Sequence, residues 1–75
     1  MEYRISLRPS EVRDFVQAAT QSDCYINVAT NNHCVVDAKS ILGVLGLDLN
    51  KAVTVTVHGY DRVFEQYIKR FSMAC

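Results

Sequence analysis

The stretch Val53-Thr54-Val55-Thr56-Val57-His58-Gly59 decides how this chain is read. Val53, Val55 and Val57 fall on one side of an extended backbone, and Thr54, Thr56 and His58 on the other. That is the period-two alternation of a strand with one buried face. Gly59 ends it. Upstream, Tyr3, Ile5 and Leu7 alternate with Arg4 and Ser6 in the same way, as do Cys24, Ile26 and Val28 with Tyr25 and Asn27. A short third strand is expected over His33 to Val36. It would be joined to the second by a tight turn on Asn31-Asn32, where asparagine tolerates positive φ better than other non-glycine residues.

Between the strands the period changes. Pro9-Ser10-Glu11 reads as a helix start with Ser10 as N-cap, followed by Val12, Phe15, Val16 and Ala19 at i, i+3, i+4 and i+7. Ser40 opens a second helix over Ile41-Leu42-Gly43-Val44-Leu45, where its predicted role is again to accept from first-turn amides. Val63, Phe64, Tyr67, Ile68 and Phe71 form a wide stripe on a third helix. Lys69 and Arg70 sit near its C-terminal end, where the dipole favours cations. The order β-α-β-β-α-β-α predicts an α+β sandwich, with a four-stranded, mostly antiparallel sheet and helices on one face.

With 75 residues the expectation is one domain over residues 1–75, with no room for a separate catalytic lobe. Such a chain buries only roughly 60% of its unfolded surface, so most large apolar residues are committed to one thin core. Eight Lys+Arg balance eight Asp+Glu, and no basic stripe stands out. This argues against nucleic-acid or anionic-membrane partners. The longest apolar stretch, Ile41 to Leu47, is far short of the roughly 20 residues needed to cross a bilayer. No signal-peptide layout follows Met1, so a cytoplasmic location is expected. The cysteines Cys24, Cys34 and Cys75 are odd in number and lack C-x-x-C spacing, the usage of reduced cytosolic thiols. A turn centred on Asn31-Asn32 would put Cys34 opposite Ala29, too far from Cys24 for a disulfide.

No catalytic constellation is visible, and phosphate-cradling glycine loops and nucleophile elbows are absent from the sequence. His33 flanks a turn and His58 ends a strand's polar face; each reads first as a solvated polar residue. His58 with Asp61 is a weak metal pair, and neither a metal nor a cofactor is expected. The second helix is the informative element. Ile41, Leu42, Val44 and Leu45 crowd a helix too short to turn more than one narrow side to the core. Some of them must then be exposed as a docking patch, unless the loop around Asp48 folds over them. Packing of that patch on a second copy, as a weak homodimer, is a further possibility.

Ala38-Lys39-Ser40-Ile41-Leu42-Gly43-Val44-Leu45, with Leu47 and a strand from Lys51 to His58, resembles the regulatory segment of the HPr family. These are the histidine-containing phosphocarriers of the sugar phosphotransferase system. The predicted element order is similar to the HPr open-faced sandwich across nearly the whole chain. The resemblance implies that Ser40 is the position of a regulatory serine phosphorylation, and that Ile41, Leu42 and Leu45 contact protein partners.

The family's other motif, G-[LI]-H-A-R-P-A at the first helix, is not matched. Aligning Phe15-Val16-Gln17 with the family's helix puts Arg8 at the position of the phosphocarrier histidine and Ser10 at that of its arginine. Arg8-Pro9 superficially resembles the family's Arg-Pro pair, but Pro9 is two residues too far from Phe15-Val16. No histidine precedes His33. Imidazole is nucleophilic at neutral pH and its phosphoramidate passes the group on, whereas arginine stays protonated. The free amides and Arg8 could hold an anion; the simpler reading is that Ser10 caps the helix and Arg8 is solvated. The leading expectation is a non-catalytic, HPr-like module that docks phosphotransferase-system or regulatory proteins of the cytoplasm. Two alternatives stay open: a true phosphocarrier whose acceptor is His58 or His33, and a structural or oligomerising domain.

Overall fold

The computed structural model describes residues 2–30 and 34–71. The expected Asn31-Asn32 turn, His33 and Cys75 lie outside the described residues. In order come β1 (Glu2–Ile5), a 3-10 turn (Pro9–Glu11), α1 (Val12–Thr20), β2 (Tyr25–Ala29), β3 (Val35–Asp37), α2 (Ile41–Leu45), β4 (Val53–His58) and α3 (Arg62–Ile68). The β-α-β-β-α-β-α order read from the sequence is the observed one.

The valine alternation becomes the centre of the sheet. Strand order is β1-β4-β2-β3, and every pairing is antiparallel. Val55 stands opposite Tyr3 on one side and Val28 on the other, and Val57 faces Ile26. Val53, Val55, Val28, Ile26 and Ile5 are all fully buried. Onto this face α1 brings Val12, Phe15, Val16 and Ala19, α2 brings Val44, and α3 brings Phe64 and Ile68. Phe15 and Phe64 meet edge to face, with centroids 6.2 Å apart. Each such side chain contributes on the order of 1.5–3 kcal/mol by leaving water. The other sheet face, with Arg4, Thr54, Thr56, Asn27, Tyr25 and His58, carries no helix among the described residues, as in an open-faced sandwich.

Side chains also tie the loops together. Tyr3 donates from its hydroxyl to Glu65 Oε2 at 3.1 Å, linking β1 to α3. Burial, reinforced by that carboxylate, raises the Tyr3 pKa. The loop after α1 is a junction: Ser22 Oγ accepts from the Cys24 amide at 3.1 Å, and the Ser22 carbonyl accepts from Lys39 Nζ at 2.9 Å. The Ser22 hydroxyl also bonds the Asp61 carboxylate, which caps α3 by accepting from the Phe64 amide at 3.0 Å. Gly59, just before this cap, has φ +132°, and a Cβ there would come within 2.9 Å of Cys24 Sγ. Glycine is therefore required at that corner.

Local expectations change in three places. Ser10 is not the N-cap: it lies inside the 3-10 turn, whose cap residue is Arg8 and whose first position is Pro9. Proline fits there because its missing N–H would be unpaired in any case. The Glu11 carboxylate reaches back to accept from the Arg8 amide at 2.9 Å. The third strand covers Val35–Asp37 rather than starting at His33. Its register puts Val35 opposite Ala29, and Thr30 donates to the Cys34 carbonyl at 3.2 Å. Cys34 thus lies one place beyond the expected pairing, and Cys24 and Cys34 are both free thiols. Finally, Val63 leaves the α3 stripe and is 78% exposed, because Phe64 and Ile68, four apart, already set the inward face.

Candidate functional site

The site is assembled around α2. Asp37 Oδ1 accepts from the Lys39 amide at 2.8 Å, turning the chain out of β3. Ser40 then takes extended backbone angles, and its Oγ accepts from the Gly43 amide at 3.2 Å. This is the N-cap geometry expected for it. Gly43 lets the helix lie against β3, since a Cβ there would be 3.3 Å from Val36 Cβ. Of the apolar residues in α2 only Val44 is buried.

The others face outward. Ile41 is 40% exposed, Leu42 81% and Leu45 47%. The loop around Asp48 does fold inward, burying Leu47 and packing Leu49 against the core, yet it leaves Leu42 and Leu45 uncovered. Beside them is an open cleft of about 240 Å³, lined by Pro9, Leu45, Leu47, Asp48, Leu49 and Asn50. The patch therefore continues from α2 to the chain entering α1.

Arg8 and Ser10 are exposed at that entrance. Arg8 is extended, with φ −88° and ψ 150°, and its amide is already bonded by Glu11. The carboxylate sits where an anion would have to approach, so Glu11 opposes the anion-holding role that free amides would otherwise play. Arg8 brings a permanent charge to this edge, but no group able to accept a phosphoryl.

His58 stands elsewhere. It ends β4 on the helix-free sheet face, and its ring lies 5.2 Å from that of Tyr25. Asn27 Nδ2 is 3.2 Å from His58 Nε2; the amide donates, so that nitrogen's lone pair is engaged. The sheet separates this imidazole from α2 and the α1 entrance. Asp61 does not join it as a ligand pair, being committed to the α3 cap, and no metal-ligand cluster occurs among the described residues. His33 lies outside the described residues. Among the described residues no helix is long and apolar enough to cross a membrane.

The structure thus brings Ile41, Leu42 and Leu45 to one surface with the Arg8 edge, and keeps His58 apart. Sequence reasoning missed Pro9 and Leu47 to Asn50 as walls of the cleft. It also missed Tyr25 and Asn27 as partners of His58, although the period-two alternation places all three on one face.

A family model described as "PTS HPr component phosphorylation site" matches residues 5–72. No match is found among curated proteins.

Proposed function

The chain belongs to the HPr family of the sugar phosphotransferase system, and from that premise we propose that it is a docking and regulatory member that carries no phosphoryl group. The reading rests most on the entrance to α1: the alignment on Phe15-Val16-Gln17 gives Arg8 the carrier histidine's position, and Arg8 is exposed next to Pro9, which lines an apolar cleft with Leu45. A carrier must present its acceptor nitrogen to a donor and then to a recipient through one shared face. Arg8 cannot take the group, and His58, on the far face of the sheet, is not presented by docking at α2.

In this reading Ile41, Leu42 and Leu45 hold the partner, and Ser40 is the switch. Phosphorylation there would put a dianion at the rim of the apolar patch and at the positive end of α2. The partners are phosphotransferase-system or regulatory proteins of the cytoplasm, engaged by a protein that is not itself an enzyme. The test is incubation with phosphoenolpyruvate and the system's phosphoenolpyruvate-dependent kinase. The expected result is no acid-labile phosphohistidine; label on His58 or His33 would restore the carrier reading. In parallel, Leu45→Asp, at a half-exposed position and with its fold checked by circular dichroism, should abolish partner capture that the wild type supports. A partner held equally well by the variant would move the docking face elsewhere.

A further inference from the structure

The cleft beside α2 has features that narrow the kind of partner. At about 240 Å³ and open to one side, it is below the roughly 300–1,000 Å³ of small-molecule pockets. It suits one side chain. Its apolar walls are Pro9, Leu45, Leu47 and Leu49, and Asp48 and Asn50 supply the only polar edge. The Asn50 amide donates to Asp48 Oδ1 at 3.1 Å, which fixes the carboxylate at the rim. Among the described residues the one ion pair is Lys69 with Glu65, so Asp48 has no cation of its own.

We infer, building on the docking reading above, that this cleft anchors a single apolar side chain of a partner helix that carries a Lys or Arg beside it for Asp48. An apolar side chain seated between Pro9 and Leu45 would pull its flanking residues down onto the rim and exclude water there. A carboxylate stripped of water without a counter-charge is strongly disfavoured, and a facing acid more so. Asp48 therefore acts as the discriminating element, favouring a basic neighbour and rejecting an acidic one. Leu42, the most exposed apolar residue of α2, would lie under the next turn of the same partner helix.

The test uses the full chain, isotope-labelled, titrated with two synthetic amphipathic helical peptides. They share apolar residues at i, i+3, i+4 and i+7 and differ in one position beside the central leucine, Arg in one and Glu in its twin. The arginine peptide should shift the amide resonances of Leu45, Leu47, Asp48 and Asn50 and bind at least about tenfold more tightly than its twin. Asp48→Asn, which keeps the acceptor for the Asn50 amide, should erase that preference, and Asp48→Lys should reverse it. Equal binding of both peptides at the cleft overturns the charge selection while leaving docking at α2 standing. Shifts confined to other surfaces, or none, overturn the anchor itself; Leu45→Asp in partner capture then decides the docking reading separately.

Discussion

Replacing Asp61 by alanine should remove more than a surface charge. Its Oδ1 accepts from the Phe64 amide at 3.0 Å, and its carboxylate also engages the Ser22 hydroxyl and the Val63 amide. Loss of an aspartate N-cap costs roughly 1 kcal/mol, within a range of 0.5–2. Ser22 is almost wholly buried, and without Asp61 its hydroxyl loses an acceptor, adding about 0.5–1 kcal/mol. The sum is about 2 kcal/mol, or on the order of 10 °C in Tm for a domain of this size. Asp61→Asn keeps a cap oxygen and should cost less than about 0.5 kcal/mol at neutral pH.

The same carboxylate gives a pH signature. The Phe64 amide, then the Ser22 hydroxyl, hold its pKa below the ordinary 3.8, against a smaller opposing effect of burial. Below about pH 5 the unfolded chain therefore binds protons at this site that the folded chain resists. The stabilisation is complete above 3.8 and is lost as pH falls through the lowered folded value. Urea denaturation followed by circular dichroism, on wild type and Asp61→Ala, should show the stability gap narrowing below about pH 4. An unchanged gap from pH 7 to pH 2.5 would refute the electrostatic part of this reasoning. An Asp61→Asn variant as unstable as Asp61→Ala would refute the cap.

Other substitutions test other joints. Ser40→Ala should cost about 0.5–1 kcal/mol in urea denaturation, since its bond to Gly43 is long and exposed, whereas Ser40→Asp, an equally good cap, should be near neutral. Gly59→Ala should destabilise by roughly 1–3 kcal/mol through its positive φ and its clash with Cys24. Adding Cys24→Ala should recover only the steric part, and a double variant no more stable than Gly59→Ala alone would show the clash to be irrelevant. The Tyr67 hydroxyl is buried without a partner among the described residues, and burial raises its pKa. Tyr67→Phe should leave Tm unchanged or raise it, and a clear fall would reveal a hydrogen bond.

What could be read from the sequence follows the range of the interactions involved. The alternation of Val53 to His58 is local, and it placed the central strand correctly. Ser40 and its Gly43 partner are three residues apart, so the α2 cap was legible too. At Ser10 two local signals compete, and the structure follows the other one. Pro9 at the first helical position and Glu11 reaching back both mark Arg8 as the cap residue, but arginine is an unusual one. Val63 reads as inward because a wide stripe and a narrow one look alike over seven residues, and only tertiary packing, with Phe64 against Phe15, selects Phe64 and Ile68. The hairpin register slipped by one residue, which the turn sequence alone could not fix. The exposure of Ile41, Leu42 and Leu45 is legible from crowding on a short helix. The cleft is not, because Pro9 meets Leu45 and Leu47 only through the fold.

The position of β4 has a consequence for how this chain comes into being. Among the described residues the last strand in sequence is an inner one, and β1 pairs with β4 alone. As the chain emerges during synthesis, only the β2–β3 hairpin can pair early. Glu2 to Ile5 must wait, extended and half apolar, until Val53 to Thr56 arrive to receive them. Sheet closure is thus a late and non-local event that joins residues about fifty positions apart, the kind of ordering that slows folding and leaves strand edges open meanwhile. A nascent chain halted before Val53 would hold no sheet beyond its hairpin, and β1 would be free to pair with another molecule.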